Sequence, residues 1–114
     1  MEVQAVAKYV RMSPRKARLV VDMVRGMDAQ EALDMLRFVR KAAAKPVSKV
    51  IRSAIANAEE NYGLSADELY IAEIAADTGP TLKRGRFAAR GRFKPILKCS
   101  THLKVVLASK EDLY

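Results

Sequence analysis

The chain is poor in the residues that most metal, redox and catalytic chemistry requires. It holds one cysteine, Cys99, and one histidine, His102. A single thiol excludes an internal disulfide and suits a reducing cytosol. With one His beside it, a Cys/His zinc site within the chain is out of reach. No apolar run approaches the ~18 residues of a bilayer-spanning helix, and the N-terminus has no signal-peptide core. Neighbouring carboxylates occur only as Glu59/Glu60 and Asp67/Glu68, which read as a solvated helix end and a turn. Gly79 to Gly85 with Lys83 between them lacks the Lys-Ser/Thr that must directly follow the last glycine of a phosphate-binding loop. No enzyme, cofactor, metal or small-molecule substrate is expected.

Acid is missing from one long segment. Residues 78–110 carry nine cations and no carboxylate, whereas residues 1–77 carry twelve basic and eleven acidic side chains. The net charge of +8 is therefore a local property. Its densest part is residues 83–98, where Lys83, Arg84, Arg86, Arg90, Arg92, Lys94 and Lys98 alternate with Gly85, Phe87, Gly91, Phe93 and Pro95. Such a concentration repels itself until a polyanion neutralises it. The apolar and aromatic residues among the cations distinguish it from a plain disordered tail. Length, 50% hydrophobic residues and 30% charged ones suit one soluble domain, and a pI near 9.9 points to nucleic acid or an anionic surface.

In chain order, residues 3–10 alternate with strand spacing, with Val3, Ala5, Ala7 and Tyr9 on one face. Ser13 and Pro14 then start a helix with Leu19, Val20, Met23 and Val24 as its apolar stripe, and Gly26 ends it. Its first turn carries Arg15, Lys16 and Arg18, where the helix macrodipole is already positive. With Arg11 and Ser13 beside them, these cations and the free amides form a candidate phosphate site. Since cations there oppose the dipole, their neutralisation is expected to leave stability unchanged or slightly better.

Asp28 and Glu31 fit a capping box for a second helix, with Ala32, Leu33, Leu36 and Val39 as its stripe. Arg37, Arg40, Lys41 and Lys45 add charge before the longest helix, whose Val47, Val50, Ile51, Ala54, Ile55 and Ala58 follow helical spacing. Pro46 belongs in its first turn or kinks its start, and Gly63 terminates it. Residues 69–76 read as a strand with Tyr70, Ile74 and Ala76 on one face and Glu73 on the other. Residues 97–107 form another, with Leu97, Cys99, Leu103, Val105 and Leu107 facing one side. His102 on the opposite, cationic face suits a base contact or a phosphate hydrogen bond. The basic stretch joins these strands, too long for a tight hairpin loop. A two-stranded arm reaching roughly 30 Å resolves the length at ~3.3 Å per residue. It has little core and needs a partner to hold it.

The motifs occur in a definite order. They are Arg11-x-Ser13-Pro14-Arg15-Lys16-x-Arg18-Leu19-Val20, Ser53-Ala54-x-Ala56-Asn57-Ala58, Asp77-x-Gly79-Pro80-x-x-Lys83-Arg84, Gly91-Arg92 and Ser100-Thr101-His102-Leu103-x-Val105. This series resembles the large-subunit ribosomal protein L-twenty-two (uL-twenty-two) family over nearly the whole chain. The resemblance implies one α+β domain over residues 1–114, with three helices packed on a three-stranded antiparallel sheet. A long protruding basic β-hairpin is implied at about residues 77–98. It also implies a cytoplasmic, ribosomal location, large-subunit ribosomal RNA and neighbouring ribosomal proteins as partners, and no membrane. The expected RNA-binding residues are Arg11, Ser13, Arg15, Lys16, Arg18, Lys83, Arg84, Arg86, Arg90, Arg92, Lys94, Lys98 and His102. A tip of Arg86, Phe87, Ala88, Ala89 and Arg90 is expected to line the polypeptide exit tunnel and meet the nascent chain. Here Phe87-Ala88-Ala89 stands where the family usually has Pro-Arg-Ala before its Gly-Arg pair. Two other classes compete: a free-standing architectural nucleic-acid binder, for which Phe87 offers an apolar wedge, and an interfacial membrane binder. The latter requires cations along an amphipathic helix, not on a glycine-punctuated strand.

Overall fold

In a computed structural model of the chain, residues 2–80, 82–87, 93–98 and 100–110 are described. Five strands and three helices follow in the order β1 (Glu2–Val10), α1 (Pro14–Val24), α2 (Ala29–Leu36), α3 (Ala44–Tyr62), β2 (Leu69–Thr78), β3 (Leu82–Phe87), β4 (Phe93–Lys98) and β5 (Thr101–Ser109). A single 3-10 turn, Ala66–Glu68, precedes β2. The sheet order is β1-β5-β2, antiparallel throughout, and β3 pairs with β4 in a separate two-stranded sheet. This is the α+β architecture that the resemblance implies.

α3 buries the whole stripe its spacing predicts, whereas α1 and α2 bury part of theirs. Ala17, Val20, Val21 and Val24 of α1 are sealed from solvent, as are Ala54, Ala58 and Ile51 of α3. They meet Val3 and Ala5 of β1, Ile71, Ile74 and Ala76 of β2, and Leu103, Val105 and Leu107 of β5 in one core. Pro46 lies in the first turn of α3, where its missing amide hydrogen costs no helical bond. Gly63 ends α3 at φ +66, a backbone state that L side chains seldom adopt. Leu19 and Met23, placed on the α1 stripe by spacing, are instead exposed, because the buried face is centred on Ala17, Val21 and Val24.

Three local expectations give way to tertiary structure. The Asp28 side chain makes no cap bond; it forms a 3.0 Å ion pair with Lys110, and α2 stops at Leu36, leaving Val39 in the following turn. In β2 the register against β5 shifts between Ile71 and Glu73. That extra residue moves Leu69 and Ile71 onto the same buried side as Ile74 and Ala76, while Tyr70 is only half-buried. In β1 a second irregularity between Ala7 and Val10 turns Tyr9 out to solvent at 64% exposure.

β2 is an edge strand, and its outer carbonyls are capped by the chain around α1. Gly26 donates to the Ile71 carbonyl at 3.1 Å, and the Ile71 amide donates to Met27 at 2.8 Å. Arg25 reaches the Ile74 carbonyl at 3.0 Å and Arg18 the Ala76 carbonyl at 3.1 Å. An edge satisfied this way offers no template to another strand.

Thr101 joins the start of β5 to the β1–α1 connection. It is fully buried, and its hydroxyl donates to the Met12 carbonyl at 2.8 Å. Thr101→Val keeps the side-chain shape but orphans that acceptor, so it should cost about 1–2 kcal/mol in urea denaturation. Parental stability in the Val variant would show that the bond does not fasten the two segments.

Candidate nucleic-acid interface

Strand direction decides which charges meet. β1 and β2 both run antiparallel to β5, so both end beside its start: Val10 and Thr78 are each paired with Thr101. The 3.0 Å bond from the Gly79 amide to the Ser100 carbonyl continues the ladder toward β3 and β4. α1 starts at Pro14, just past β1, and runs back along β2, as the order Arg18–Ala76, Arg25–Ile74, Gly26–Ile71 requires. α3 opposes β1: Val10, Ala42, Lys45 and Pro46 line one groove, whereas Asn57 meets the Gln4 carbonyl at 3.5 Å. The starts of α1 and α3 and the root of the β3–β4 ribbon therefore share one end of the sheet.

That end is basic. Lys8, Arg11, Arg15, Lys16, Lys41, Lys45 and Lys49 are exposed there, and Asp77 is the exception. Exposed Glu2, Glu59, Glu60, Asp67 and Glu68 fall toward the other end. Both helices oppose their own dipoles as a result: neither α1 nor α3 has an acid in its first turn or a base in its last. Lys45 and Lys49 form a ridge between two grooves. The groove against β1 is apolar, about 610 Å³, and lined by Ala5, Val6, Ala7 and Val10 among others. The other, about 320 Å³, is lined by Arg37, Lys41, Arg52 and the ridge itself, with no acid in its walls.

The expected binding residues fall into three groups. Arg11, Arg15 and Lys16 are exposed at the basic end, and Ser13 sits half-buried at the α1 N-cap without a side-chain cap bond. Lys83, Arg84 and Arg86 lie on β3, and Lys94 and Lys98 on β4. Arg86 is the register partner of Lys94, so two basic positions stand opposite each other in the ribbon. Arg90, Arg92, Ala88 and Ala89 lie outside the described residues, as does Cys99.

Two further residues, Arg18 and His102, have structural duties that sequence alone does not reveal. Arg18 donates through Nε to the Ala76 carbonyl, so it holds α1 to the sheet as well as adding charge. His102 accepts the Tyr9 amide at Nδ1, 3.1 Å away, which puts the proton of a neutral ring on Nε2. Sequence reasoning counts Lys41 and Lys45 only as added charge and passes over Lys49. The four-residue spacing of Lys45 and Lys49 is the available sign that these two share a face of α3, with Lys41 in the turn just before it.

Arg18 separates from its neighbours energetically. Arg15→Gln and Lys16→Gln should leave stability unchanged or slightly higher, because each removes a cation that opposes the dipole. Arg18→Gln should cost about 0.5–1.5 kcal/mol in chemical denaturation, the worth of one partly exposed hydrogen bond. Equal effects from all three would deny Arg18 its clamp.

The amino-acid sequence matches a known group of proteins. The family model described as ribosomal protein L22p/L17e fits residues 5–108. "Large ribosomal subunit protein uL22" of Chloroflexus aggregans is 52% identical over 112 residues, covering 98% of this chain and 99% of the relative. The protein of the same name from Thermoanaerobacter sp. (strain X514) is 50% identical, with 97% of this chain and all of the relative aligned. That from Clostridium novyi is 50% identical over 96% and 99% of the two chains. The chain belongs to the ribosomal protein L22p/L17e family, a structural and non-enzymatic one.

Proposed function

We propose that this ribosomal protein of the large subunit binds large-subunit ribosomal RNA through its basic end, helps the RNA assemble, and sends its β3–β4 ribbon toward the polypeptide exit tunnel. The observation that carries this reading is the convergence of the α1 start, the α3 start and the ribbon root at one end of the sheet. Phosphate contacts need positive charge at many points along a backbone and no particular side-chain geometry. Cations on separate elements satisfy that need. Arg11, Ser13, Arg15, Lys16 and Arg18 serve as one anchor; Lys83, Arg84, Arg86, Arg90, Arg92, Lys94 and Lys98 form the other. His102 joins them at the ribbon root, with Nδ1 already committed to Tyr9. Neighbouring ribosomal proteins are further partners, and the ribosome is the site of action. The tip residues Arg86, Phe87, Ala88, Ala89 and Arg90 face the tunnel and the nascent polypeptide.

Salt dependence tests the anchor. With about six cations on phosphates, log K against log salt for a large-subunit RNA transcript should slope by roughly −4 to −5. Replacing Arg84, Arg90 and Arg92 together by Gln should reduce the slope by about two units or more. A slope near −1 in the parent chain would remove the basic end as the contact surface.

The tunnel assignment needs a separate measurement. Deleting residues 85–89 removes Arg86 with the tip but leaves the cations Lys83, Arg84, Arg92, Lys94 and Lys98 and the globular part in place. Large subunits should incorporate the shortened protein yet respond differently to an antibiotic that binds in the tunnel. Failed incorporation would make the tip an assembly anchor, and an unaltered drug response would take it off the tunnel wall.

A further inference from the structure

We infer that Tyr9 is a stacking platform for one unpaired nucleotide of the bound RNA, placed at the root of the basic ribbon. This inference rests on the RNA-binding reading and adds a base contact to a surface otherwise built for phosphates. Tyr9 is the one non-glycine with positive φ among the described residues, at +58. Left-handed backbone is uncommon outside Gly, Asn and Asp and costs roughly 1–2 kcal/mol for a residue such as this. A strained position persists only where surrounding structure over-determines it, and such positions gather at functional sites.

The surrounding structure here is specific. The Tyr9 amide donates to His102 Nδ1 at 3.1 Å, and the two rings meet edge to face, 5.0 Å between centroids and 86° between planes. His102 is in turn backed by Gly79, where a Cβ would come within 3.3 Å of both Cε1 and Nε2. The tyrosine is therefore held from behind, yet the residue remains 64% exposed. Folding gains the inward placement of Val10 from the same irregularity, but that gain does not call for an aromatic ring at the ninth position. The strain places a large ring in water, where a buried alternative would have stabilised the core.

Its surroundings select the ligand. Lys8 and Arg11, both exposed, flank it in sequence, and His102 and Gly79 lie where the chain passes between the sheet and the ribbon. Unpaired bases splay out of RNA loops and stack on aromatic faces, and a nearby cation fixes the attached phosphate. Phe38 is more exposed, at 84%, but no ring contact orients it among the described residues. Tyr9 alone among the described residues combines exposure, fixed orientation and position beside the ribbon.

Stacking and charge leave different signatures in one titration. Full-length Tyr9→Ala should bind a large-subunit RNA transcript roughly 5- to 150-fold more weakly at every salt concentration, with an unchanged salt slope. Tyr9→Phe should bind like the parent. Tyr9→Gly should lose as much affinity as the Ala variant while matching or exceeding the parent in denaturation, because glycine adopts φ +58 without strain. Parental affinity in the Ala and Gly variants would overturn the inference and leave the ring as a spacer in the bulge. A weaker complex with a shallower slope would overturn it too, since the tyrosine would then be positioning cations. A parent slope near −1 would instead sink the RNA-binding reading, and the platform with it.

Discussion

Antiparallel pairing of β5 with two partners is the constraint on which the rest depends. A strand that pairs antiparallel on both sides forces both neighbours to finish where it begins. The chain must then leave β1 and β2 at the same end, next to Thr101. From β1 it turns into α1, and from β2 it runs into the ribbon. The basic residues at those two exits are far apart in sequence, yet topology makes them neighbours. No attraction between cations is involved; β5 brings them together against their repulsion.

That repulsion explains how the fold divides its work. The buried core that holds β5 in place is aliphatic, and Thr101 and Ser109 are the buried polar residues beside it among the described ones. Stability resides in Val, Ile, Leu and Ala packed between sheet and helices, where burial near ~25 cal/mol per Å² of apolar area dominates. The basic end can therefore be assembled against electrostatics and against two helix dipoles. A protein selected for stability alone would place acids in the first turns of α1 and α3. Both helices do the opposite, a departure that the proposed RNA-binding role accounts for. The ribbon lies further along the same trade. There Arg86 and Lys94 are register partners, so the sequence sets two basic positions opposite each other.

Much of this is legible in the sequence because period and punctuation agree. Helical spacing in 47–58, Pro46 in a first turn and Gly63 at a left-handed stop each find their place in α3. The charge asymmetry marks the ribbon by itself, since acid is absent from residues 78–110. What the sequence hides has a common cause. A single extra residue in β1 and another in β2 invert the two-residue alternation, so Tyr9 leaves the apolar face and Leu69 and Ile71 join it. No local residue announces either bulge. The true partner of Asp28 and the Arg18 clamp are hidden for a related reason: Lys110 and Ala76 lie far along the chain from the side chains they meet.

The bulge in β1 also shows how an irregular residue connects fold to surface. Had β1 kept its alternation through Val10, the ninth side chain would point inward and the tenth outward. The shift instead lets Val10 pack against the core and pair with Thr101, which sets the start of α1. The cost is a tyrosine in left-handed backbone, offset by the hydrogen bond and ring contact with His102. His102 can stand there because Gly79 has no side chain to displace it. Three residues from three separate segments thus settle one geometry, and each is intelligible only beside the other two. Gly79 is not needed for a turn, since its φ is ordinary; it is needed for room. A methyl group at that position would press on the imidazole and on the Ser100 hydroxyl, which donates to the Pro80 carbonyl at 2.6 Å. Strain at Tyr9, the ring of His102 and the bare backbone of Gly79 are in this sense one device, built where the ribbon leaves the domain.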